Sequence, residues 1–456
     1  SLGLVGSEMC IRDSRDPEES RVRLSAAPTP GRVLYVSPTG HDSNPGTLAQ
    51  PFATLGKALQ ANRLAGPVAG GTAIELADGL YPVSSTISLS SADSGTAGAP
   101  LTIRAAHPGK AVFYGGKRLS GFQTVTDAGI LARLPAEAQG QVMQCNLAAL
   151  GISDYGSISG FGGGYYPTMV NLYVNGVPQE LSRWPNSGYV RIASLVNPGS
   201  GNWYTPGSTP QTFAYTGDRP SRWSTASDAW LHGYFESGAY DESVTIGSIN
   251  TTAKTITTGW SVSYISGWNE MREGASWRAF NLLEEIDQPG EWYLDRTSGM
   301  LYWYPSADPS TATIDLSMFP ANTNMIVATG VSHVRIEGLV LDCSRGGGLQ
   351  LTNSSDCIVA GTTVRNMGGV AVNIDGGQRN LLFGCDLHNL DRAACYITGG
   401  DRETLVSGNH VMANCRLRNW GRISRSESQG VFLIGVGNTI KHLSLIHISE
   451  PTRPRL

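Results

Sequence analysis

The stretch VRIEGLVLDCSRGGGLQLTNSSDCIVAGTTVRNMGGVAVNIDGGQRNLLFGCDLHNL, residues 334–390, contains short apolar segments that recur at a fixed interval. Glycines mark the repeat at Gly338, Gly361, Gly384 and Gly408, with spacings of 23, 23 and 24. Apolar residues stand two positions before and three positions after each glycine. They are Ile336, Val359, Leu382 and Val406, followed by Leu341, Val364, Leu387 and Val411. This interval predicts stacked rungs that bury their apolar side chains against neighbouring rungs.

A second apolar series runs in phase with the first and indicates the type of solenoid. It comprises Leu349 and Leu351, Val372 and Ile374, Cys395 and Ile397, and Phe432 and Ile434. Gly, Asn and Asp turns separate these segments, as between the stacked strands of a parallel β-helix. A leucine-rich repeat has a similar period, but its LxxLxLxxN consensus and helical segment are missing. The sequence therefore predicts an all-β parallel β-helix, with rungs over 316–442 and its C-terminal rungs missing.

The two ends of the chain are related through coding DNA. Residues 4–14, LVGSEMCIRDS, can be encoded by DNA whose opposite strand encodes LSLIHISEPT, residues 443–452. Chance agreement of ten residues through the genetic code is a poor explanation. We therefore expect 1–14 and 443–456 to be translated sequencing-adapter DNA and exclude both from the fold. The remainder, about residues 15–442, is interpreted as an internal fragment of a longer gene, with a linker at 15–30.

The segments before the repeat predict a cap and an insertion. VLYVS at 33–37 is typical of a strand, and FATLGKALQANRL at 52–64 of an amphipathic helix that caps the first rung. TAIELADGLYPV and APLTIRAAHPGKAVFYGG then predict the first rungs, which completes an N-terminal unit over 31–119. Residues 120–315 lack the 23-residue period and predict an inserted β-rich domain. Its segment GEWYLDRTSGMLYWYP predicts two strands joined at 297–299, with outward aromatic side chains.

Composition excludes several classes of protein. Charged residues make up 15% of the 456 residues, against roughly 25% in typical globular domains. The formal net charge of −4 offers no basic surface for nucleic acid, and no apolar run approaches the ~20 residues of a membrane span. Six cysteines lie outside the predicted adapter without a CxxC pair, which favours packed thiols over a metal site or disulfides. We expect no cofactor, with calcium left open.

Strand alternation predicts which side chains face solvent on the second series. Leu349, Val372 and Cys395 should point inward, so their neighbours Asn373 and Tyr396 should point outward as candidate substrate-binding residues. The spacing of 37 residues from Cys395 to Phe432 exceeds the period of 23 by 14, which predicts one long loop between Ile397 and Phe432. Long loops on rigid scaffolds are common functional sites.

The candidate catalytic carboxylates are Asp375 and Asp401, near the ends of equivalent strands on adjacent rungs. Glycoside hydrolysis requires one protonated and one ionised carboxyl group, ~5 Å apart for retention and ~6.5–9.5 Å for inversion. Rungs ~4.8 Å apart allow such a pair. The alternative is turn chemistry, in which Asp375 opens an Asp-Gly-Gly turn and Asp401 caps a Gly-Gly-Asp turn. Calcium or sugar binding is a further alternative for both.

Arg402, His410 and Trp420 are further candidates for substrate binding. Arg402 is placed to neutralise a uronate, or else forms an ordinary surface ion pair. His410 and His388 are predicted at near-equivalent outer positions, as an acid or base or as solvated turn residues. Trp420, in the long loop, is the candidate stacking platform for a sugar. The tryptophans of 120–315 are expected to be mostly core residues.

Several segments together resemble secreted right-handed β-helix proteins of carbohydrate metabolism. They are YVSPTGHDSNPGTLAQPFATLGKAL, ADGLYPV, LYVNGVPQELSRWPN, EWYLDRTSGMLYWYP, GGDR and GVGNTIKH. The resemblance covers nearly all of 31–442 and points to the glycoside hydrolase family 141 group, known for fucosidase and xylanase activities. It implies a right-handed helix and a secreted or periplasmic protein whose partner is a polysaccharide.

Three functions fit these observations. The first is a glycoside hydrolase that acts on a complex plant or algal polysaccharide through carboxylate acid/base chemistry. The second is a polysaccharide lyase that removes a proton from a uronate with Arg or His, since Lys441 is the one lysine after Lys254. The third is a non-catalytic carbohydrate-binding or adhesive β-helix.

Overall fold

The computed structural model describes residues 24–158, 167–201, 207–223, 226–236, 238, 240–262 and 271–446. Their backbone winds into a right-handed parallel β-helix with three sheets, which confirms the predicted fold class. Each rung contributes one strand to each sheet in turn. Apolar side chains fill the interior because alternate strand residues face inward, and one continuous core joins the rungs.

Three parallel sheets form the walls of the helix. The strands of the first sheet are Arg32–Val36, Thr72–Leu76, Leu101–Ala105, Val334–Glu337, Ile358–Ala360, Leu381–Phe383, Val411–Ala413 and Thr439–Lys441. Those of the second sheet are Gly79–Pro82, Ala111–Tyr114, Val340–Ser344, Thr363–Met367, Asp386–Leu390, Arg416–Arg418 and Ser444–Ile446. Those of the third sheet are Ile87–Leu89, Asn324–Thr329, Gly347–Thr352, Val372–Asp375, Cys395–Asp401 and Val431–Gly435, and Val406–Ser407 pairs antiparallel with Cys395–Asp401.

The first three rungs of the repeat have the predicted register. Ile336, Val359 and Leu382 align in the first sheet, and Leu349, Val372 and Cys395 align in the third. All six side chains are buried. The interval of 23 residues therefore gives the rung length and the inward face correctly.

The predicted register of the next rung is wrong. Leu382 pairs with Met412 rather than Val406, and Leu387 pairs with Leu417 rather than Val411. Asn414 takes the corner that Gly384 occupies one rung earlier, with a left-handed φ of 55°. Asn tolerates this conformation better than other residues with a side chain. The corner therefore keeps the same backbone geometry, although its residue is no longer glycine.

The predicted long loop is two separate insertions. The first insertion is a hairpin formed by strands Cys395–Asp401 and Val406–Ser407. The second insertion comprises residues 419–430, between strands Arg416–Arg418 and Val431–Gly435. We call it the tethered loop. In the third sheet Cys395 pairs with Val431. Phe432 and Ile434 therefore face outward, and their predicted inward placement is wrong by one residue.

A helix covers the first rung. It spans Leu55–Ala65, and the Thr54 side chain caps its first turn by accepting a hydrogen bond from the Lys57 N–H. Leu55, Ala58 and Leu59 are buried against the solenoid core. The predicted capping helix is confirmed, beginning three residues later than expected.

The insertion leaves the solenoid between strands Ala111–Tyr114 and Asn324–Thr329, at the corner that joins the second sheet to the third. The predicted limits of 120 and 315 lie inside this span. Its strands are Gly116–Arg118, Gln123–Thr124, Met143–Asn146, Leu172–Val174, Val177–Pro178, Glu180–Leu181, Arg183–Trp184, Val190–Arg191, Ser194–Asn197, Thr212–Ala214, Trp230–Tyr234, Glu242–Asn250, Thr255–Thr258, Ser276–Phe280, Glu291–Asp295, Met300–Trp303 and Ile314–Ser317. Among the described residues its α-helix is Ala128–Arg133, and the 3-10 turns there and in the solenoid are Ser91–Asp93, Ala136–Ala138, Ala148–Leu150, Arg219–Trp223 and Leu283–Glu285.

Aromatic side chains fill the insertion. Strands Glu291–Asp295 and Met300–Trp303 form the predicted hairpin, but its aromatics are buried rather than outward. Trp292 and Trp303 pack in one core of the insertion, and Tyr293 and Tyr302 pack in another. The expectation that the insertion's tryptophans are mostly core is confirmed for Trp223, Trp230, Trp277, Trp292 and Trp303, which are buried. Trp268 lies outside the described residues.

The cysteines behave as packed thiols. Cys145, Cys343, Cys357, Cys385, Cys395 and Cys415 are buried and free. Burial raises the pKa of the Cys145 and Cys357 thiols to about 11, which disfavours the reactive thiolate. The structural role predicted for these residues is confirmed.

The end of the second sheet reaches beyond the predicted boundary at 442. Strand Ser444–Ile446 pairs with Arg416–Arg418, although these residues fall in the segment that we excluded from the fold. Their origin in adapter DNA stays a prediction.

Candidate functional site

The outer face of the third sheet carries a ladder of polar side chains. Gln350, Asn373 and Tyr396 lie at paired positions on successive rungs. Two residues further along the same strands, Asp375 pairs with Thr398. Their outward placement agrees with the predicted alternation, since the inward neighbours are fully buried. We call this surface the outer face.

Tyr396 is the aromatic centre of the outer face. Its hydroxyl donates a hydrogen bond of 3.2 Å to the carbonyl oxygen of Glu427, and its ring lies 5.2 Å from the ring of Phe432 on the next rung. Phe432 is 36% exposed. The corrected register thus creates an aromatic pair on the surface, which the sequence prediction missed because it placed Phe432 inside.

The two predicted catalytic carboxylates have different surroundings. Asp375 is exposed and accepts a hydrogen bond of 2.8 Å from the Thr398 hydroxyl. Asp401 lies in the hairpin and accepts backbone N–H bonds from Glu403 and Thr404 at 2.8 and 3.3 Å. These bonds lower the pKa of Asp401. The structure therefore gives Asp401 the predicted turn-capping contacts, and the hydrogen bonds of the two carboxylates go to separate partners.

The prediction that His410 is an outer side chain is wrong. His410 is 0% exposed, and its Nδ1 accepts the backbone N–H of Asn380 at 3.2 Å. Burial lowers the pKa of its imidazole. His388 lies on a strand of the second sheet, so the two histidines are not equivalent. A residue enclosed in the solenoid cannot contact a polysaccharide.

Arg402 and Trp420 occupy different settings. Arg402 is exposed in the hairpin next to Asp401. Trp420 is only partly exposed, because its indole packs against the solenoid core and approaches the backbone of Gly430. Part of the Trp420 indole, which was predicted to stack on a sugar, is therefore covered by contacts that fix the tethered loop to the solenoid.

The tethered loop is fixed to the insertion by Asp241. The Asp241 carboxylate accepts the backbone N–H of Ser426 at 2.7 Å and that of Arg425 at 3.2 Å. It also lies 2.9 Å from Nε2 of His232, and both side chains are completely buried. The imidazole and the contacts with Ser426 outweigh burial and lower the pKa of Asp241. The insertion thus shapes one wall beside the outer face.

A second contact between the insertion and the solenoid was missed from sequence. Asp391 is buried and accepts hydrogen bonds of 2.7 Å from both Asn171 and Arg422. Burial raises the pKa of Asp391 to about 6, against the opposing effect of Arg422. Asp391 lies within the repeat, but nothing in the sequence indicated that Asn171, 220 positions away, would contact it.

Glu180 lies near the same arginine. One of its carboxylate oxygens is 3.9 Å from Arg422, and its side chain is 57% exposed. The pKa of Glu180 is lowered overall. Its partial burial acts to raise this pKa, but the positive charges of Arg422, Arg183 and Arg278 have the larger, opposite effect. The motif LYVNGVPQELSRWPN contains Glu180 and Arg183, which was the available sequence signal.

The described part of the chain holds no group of three or more His, Cys, Asp or Glu side chains placed to bind a metal ion. Calcium binding therefore stays a prediction. In the same residues, no helix is long and apolar enough to cross a membrane.

Comparisons with known proteins agree with the architecture. A family model described as "Right handed beta helix region" matches residues 303–447. No curated protein sequence matches the chain. A solved structure described as "Glycoside hydrolase" is similar at 13% identity, covering 91% of this chain and 96% of that chain, with a TM-score of 0.54. At this identity the likeness shows the fold, a right-handed parallel β-helix.

Two further solved structures are more distantly similar. "The complex structure of XylC with xylose" is 13% identical and covers 90% of this chain and 63% of that chain, with a TM-score of 0.37. The pectate lyase Pel9A is 11% identical and covers 86% of this chain and 48% of that chain, with a TM-score of 0.34.

Proposed function

We propose that this protein is a secreted or periplasmic glycoside hydrolase that acts on a plant or algal polysaccharide bound along the outer face. One observation carries the proposal: the outer face presents a ladder of hydrogen-bonding side chains and the Tyr396–Phe432 aromatic pair beside the tethered loop. Sugars need both features, since their hydroxyl groups take hydrogen bonds and their apolar faces pack on aromatic rings. The fold shared with a structure described as a glycoside hydrolase supports it.

The proposed catalytic pair is Asp375 and Asp401. Asp401 suits the ionised role of nucleophile or base, because backbone N–H groups lower the pKa of its carboxyl group. Asp375 then takes the role of acid, which protonates the oxygen that leaves when the glycosidic bond breaks. Asn373 and Tyr396 would bind the sugar, with Arg402 close to Asp401 in the hairpin.

The experiment measures the hydrolysis of a panel of plant and algal polysaccharides by the wild-type full chain and by its Asp375→Asn and Asp401→Asn variants. Asp356→Asn is the matched control, because Asp356 is a turn carboxylate that is already paired with Arg379 at 2.7 Å. We expect release of reducing ends without a new ultraviolet-absorbing product. Loss of acid or nucleophile should reduce the rate about 100-fold or more, while Asp356→Asn should retain the original rate.

Other outcomes identify other functions. An absorbing unsaturated uronate would show a polysaccharide lyase, and retention of polymer without any product would show a binding protein. Hydrolysis that survives both Asp375→Asn and Asp401→Asn would place the catalytic carboxylates elsewhere.

A further inference from the structure

A small cavity lies where the insertion meets the tethered loop. Its volume is about 40 Å³, and its lining includes Gln179, Glu180, Arg183, Arg278, Arg422 and Ile423. Three arginines thus face one space with a single carboxylate, Glu180. The tethered loop supplies Arg422 and Ile423, and the same loop contacts Tyr396 through the carbonyl of Glu427.

Arg278 is the unusual member of this lining. It is 6% exposed, and its guanidinium lies 5.3 Å from the ring centre of Tyr189. Its Nε and Nη1 atoms are buried without a hydrogen-bond partner in the described part of the chain. Leaving a buried cation without an anionic partner is costly. Such an arrangement indicates that the partner comes from outside the protein.

The two carboxylates nearest the cavity form their ion pairs with Arg422 rather than with Arg278. Arg422 already contacts Asp391 at 2.7 Å. Glu180 is more than half exposed, and its carboxylate lies 3.9 Å from Arg422. This distance is longer than the about 2.7–2.9 Å of a hydrogen-bonded ion pair. The described residues include no carboxylate within 4 Å of the Arg278 guanidinium.

We propose that this cavity binds the anionic substituent of an acidic sugar, a carboxylate or a sulfate group, with Arg278 as its principal donor. The inference rests on the proposed function and names its substrate class as an acidic polysaccharide. Arginine suits both groups because its planar fork can donate two parallel hydrogen bonds.

The dimensions agree with a substituent rather than a whole sugar. One water-sized group needs about 10–15 Å³ of such volume, so the cavity accommodates about three, as in a carboxylate. A wider groove of about 390 Å³ shares Gln179 and Glu180 with the cavity. The sugar ring is assigned to this groove, with its anionic group directed at Arg278.

The test measures binding of D-galacturonate, D-galactose and inorganic sulfate to the full chain by titration calorimetry. We expect an anion to bind and galactose not to bind. Binding of galacturonate alone assigns a uronate, and binding of sulfate alone assigns a sulfated sugar. Arg278→Met should weaken binding about tenfold or more, because it removes the charged donor that forms hydrogen bonds with the anion. Arg191→Met is the control, because Arg191 is exposed on a strand of the same insertion.

A second variant keeps the test decisive if Arg278→Met does not fold. Glu180→Gln removes the negative charge that borders the cavity and should tighten anion binding severalfold, because it removes repulsion. Failure of the wild-type chain to bind either anion would overturn the inference, as would unchanged affinity in both Arg278→Met and Glu180→Gln. Asp375→Asn should bind the anion normally, so an intact site with no hydrolysis would separate this inference from the proposed function.

Discussion

The side-chain amide of Asn171 donates a hydrogen bond of 2.7 Å to the carboxylate of Asp391, across 220 positions of sequence. Asn171 belongs to the insertion, and Asp391 follows a strand of the second sheet. Arg422 from the tethered loop donates to the other oxygen of the same carboxylate at 2.7 Å. One buried aspartate therefore joins the insertion, the solenoid and the loop that borders the outer face.

Asp391→Ala should strongly destabilise the protein. The substitution leaves Arg422 buried without its closest anion, and breaking such a pair costs about 3–5 kcal/mol in the free energy of unfolding. Urea unfolding measures the change. Arg379→Ala is the control, since it removes an exposed pair with Asp356, and such pairs contribute about 1 kcal/mol or less. Equal effects of the two substitutions would contradict the junction described above.

Asp241→Ala should release the tethered loop. Asp241 accepts the backbone N–H groups of Arg425 and Ser426, and each hydrogen bond to a charged group contributes ~1.5–3 kcal/mol. We expect trypsin to cut after Arg422 or Arg425 at least about tenfold faster in this variant. Mass spectrometry of the fragments identifies the cleavage site. Asp218→Ala, which removes an exposed carboxylate of the same insertion, should leave the cleavage rate unchanged.

The interval of the apolar residues was sufficient to predict the solenoid. In each sheet the same inward-facing position recurs once per rung, so the spacing of the apolar residues gives the rung length of a parallel β-helix. Leu349, Val372 and Cys395 show this relation, and their outward neighbours were predicted correctly for the same reason. The capping helix was predictable because its apolar face has helical spacing.

The later rung and the candidate site were harder to predict. Asn414 replaces glycine at a left-handed corner, and a search for glycines therefore selects Gly408 instead. The junction of Asn171, Asp391 and Arg422 and the cavity beside Arg278 depend on how the insertion packs on the solenoid. Such contacts have no periodicity in the sequence. Individual residues could therefore be selected as candidates, but which of them contact one another could not be predicted.

Glu291→Gln should stabilise the protein increasingly as pH rises. Glu291 is buried, and burial raises the pKa of its carboxyl group from 4.5 to about 8. The folded protein holds this proton more tightly than the unfolded chain does. The contribution of Glu291 to stability is therefore complete below pH 4.5 and is lost as pH rises through 8.

Glutamine cannot ionise, so it avoids that loss. The free energy of unfolding of Glu291→Gln should exceed that of the wild type by several kcal/mol at about pH 8.5, with a much smaller difference at about pH 5. Urea unfolding at both pH values provides the comparison. Glu403→Gln, at an exposed position, should show no change of this difference with pH. A constant difference for Glu291→Gln would show that Glu291 is ionised in the folded protein.

The corner series predicts opposite effects of two substitutions at Asn414. Asn414 has a φ of 55°, and Gly384 one rung earlier has a φ of 63°. Asn414→Gly should leave stability unchanged or raise it, whereas Asn414→Ala should lower it by about 1 kcal/mol. Thermal unfolding measures both. Gly384→Asn and Gly384→Ala form the matched pair, and alanine should again be the more destabilising residue. If alanine is tolerated at both corners, the left-handed geometry is not required there.

Tyr396→Ala should weaken retention of a polysaccharide that the wild type binds. The substitution removes one ring of the Tyr396–Phe432 pair, which offers the aromatic surface on the outer face. Aromatic contacts contribute ~0.5–1.5 kcal/mol beyond buried area, so the affinity should fall about twofold to tenfold. Affinity electrophoresis in gels containing the polymer measures this change. Tyr396→Phe keeps the ring and loses only the hydrogen bond to Glu427, so its retention should stay close to that of the wild type. If Tyr396→Phe weakens binding as much as Tyr396→Ala does, recognition depends on the Tyr396 hydroxyl and its hydrogen bond to the tethered loop rather than on the aromatic ring.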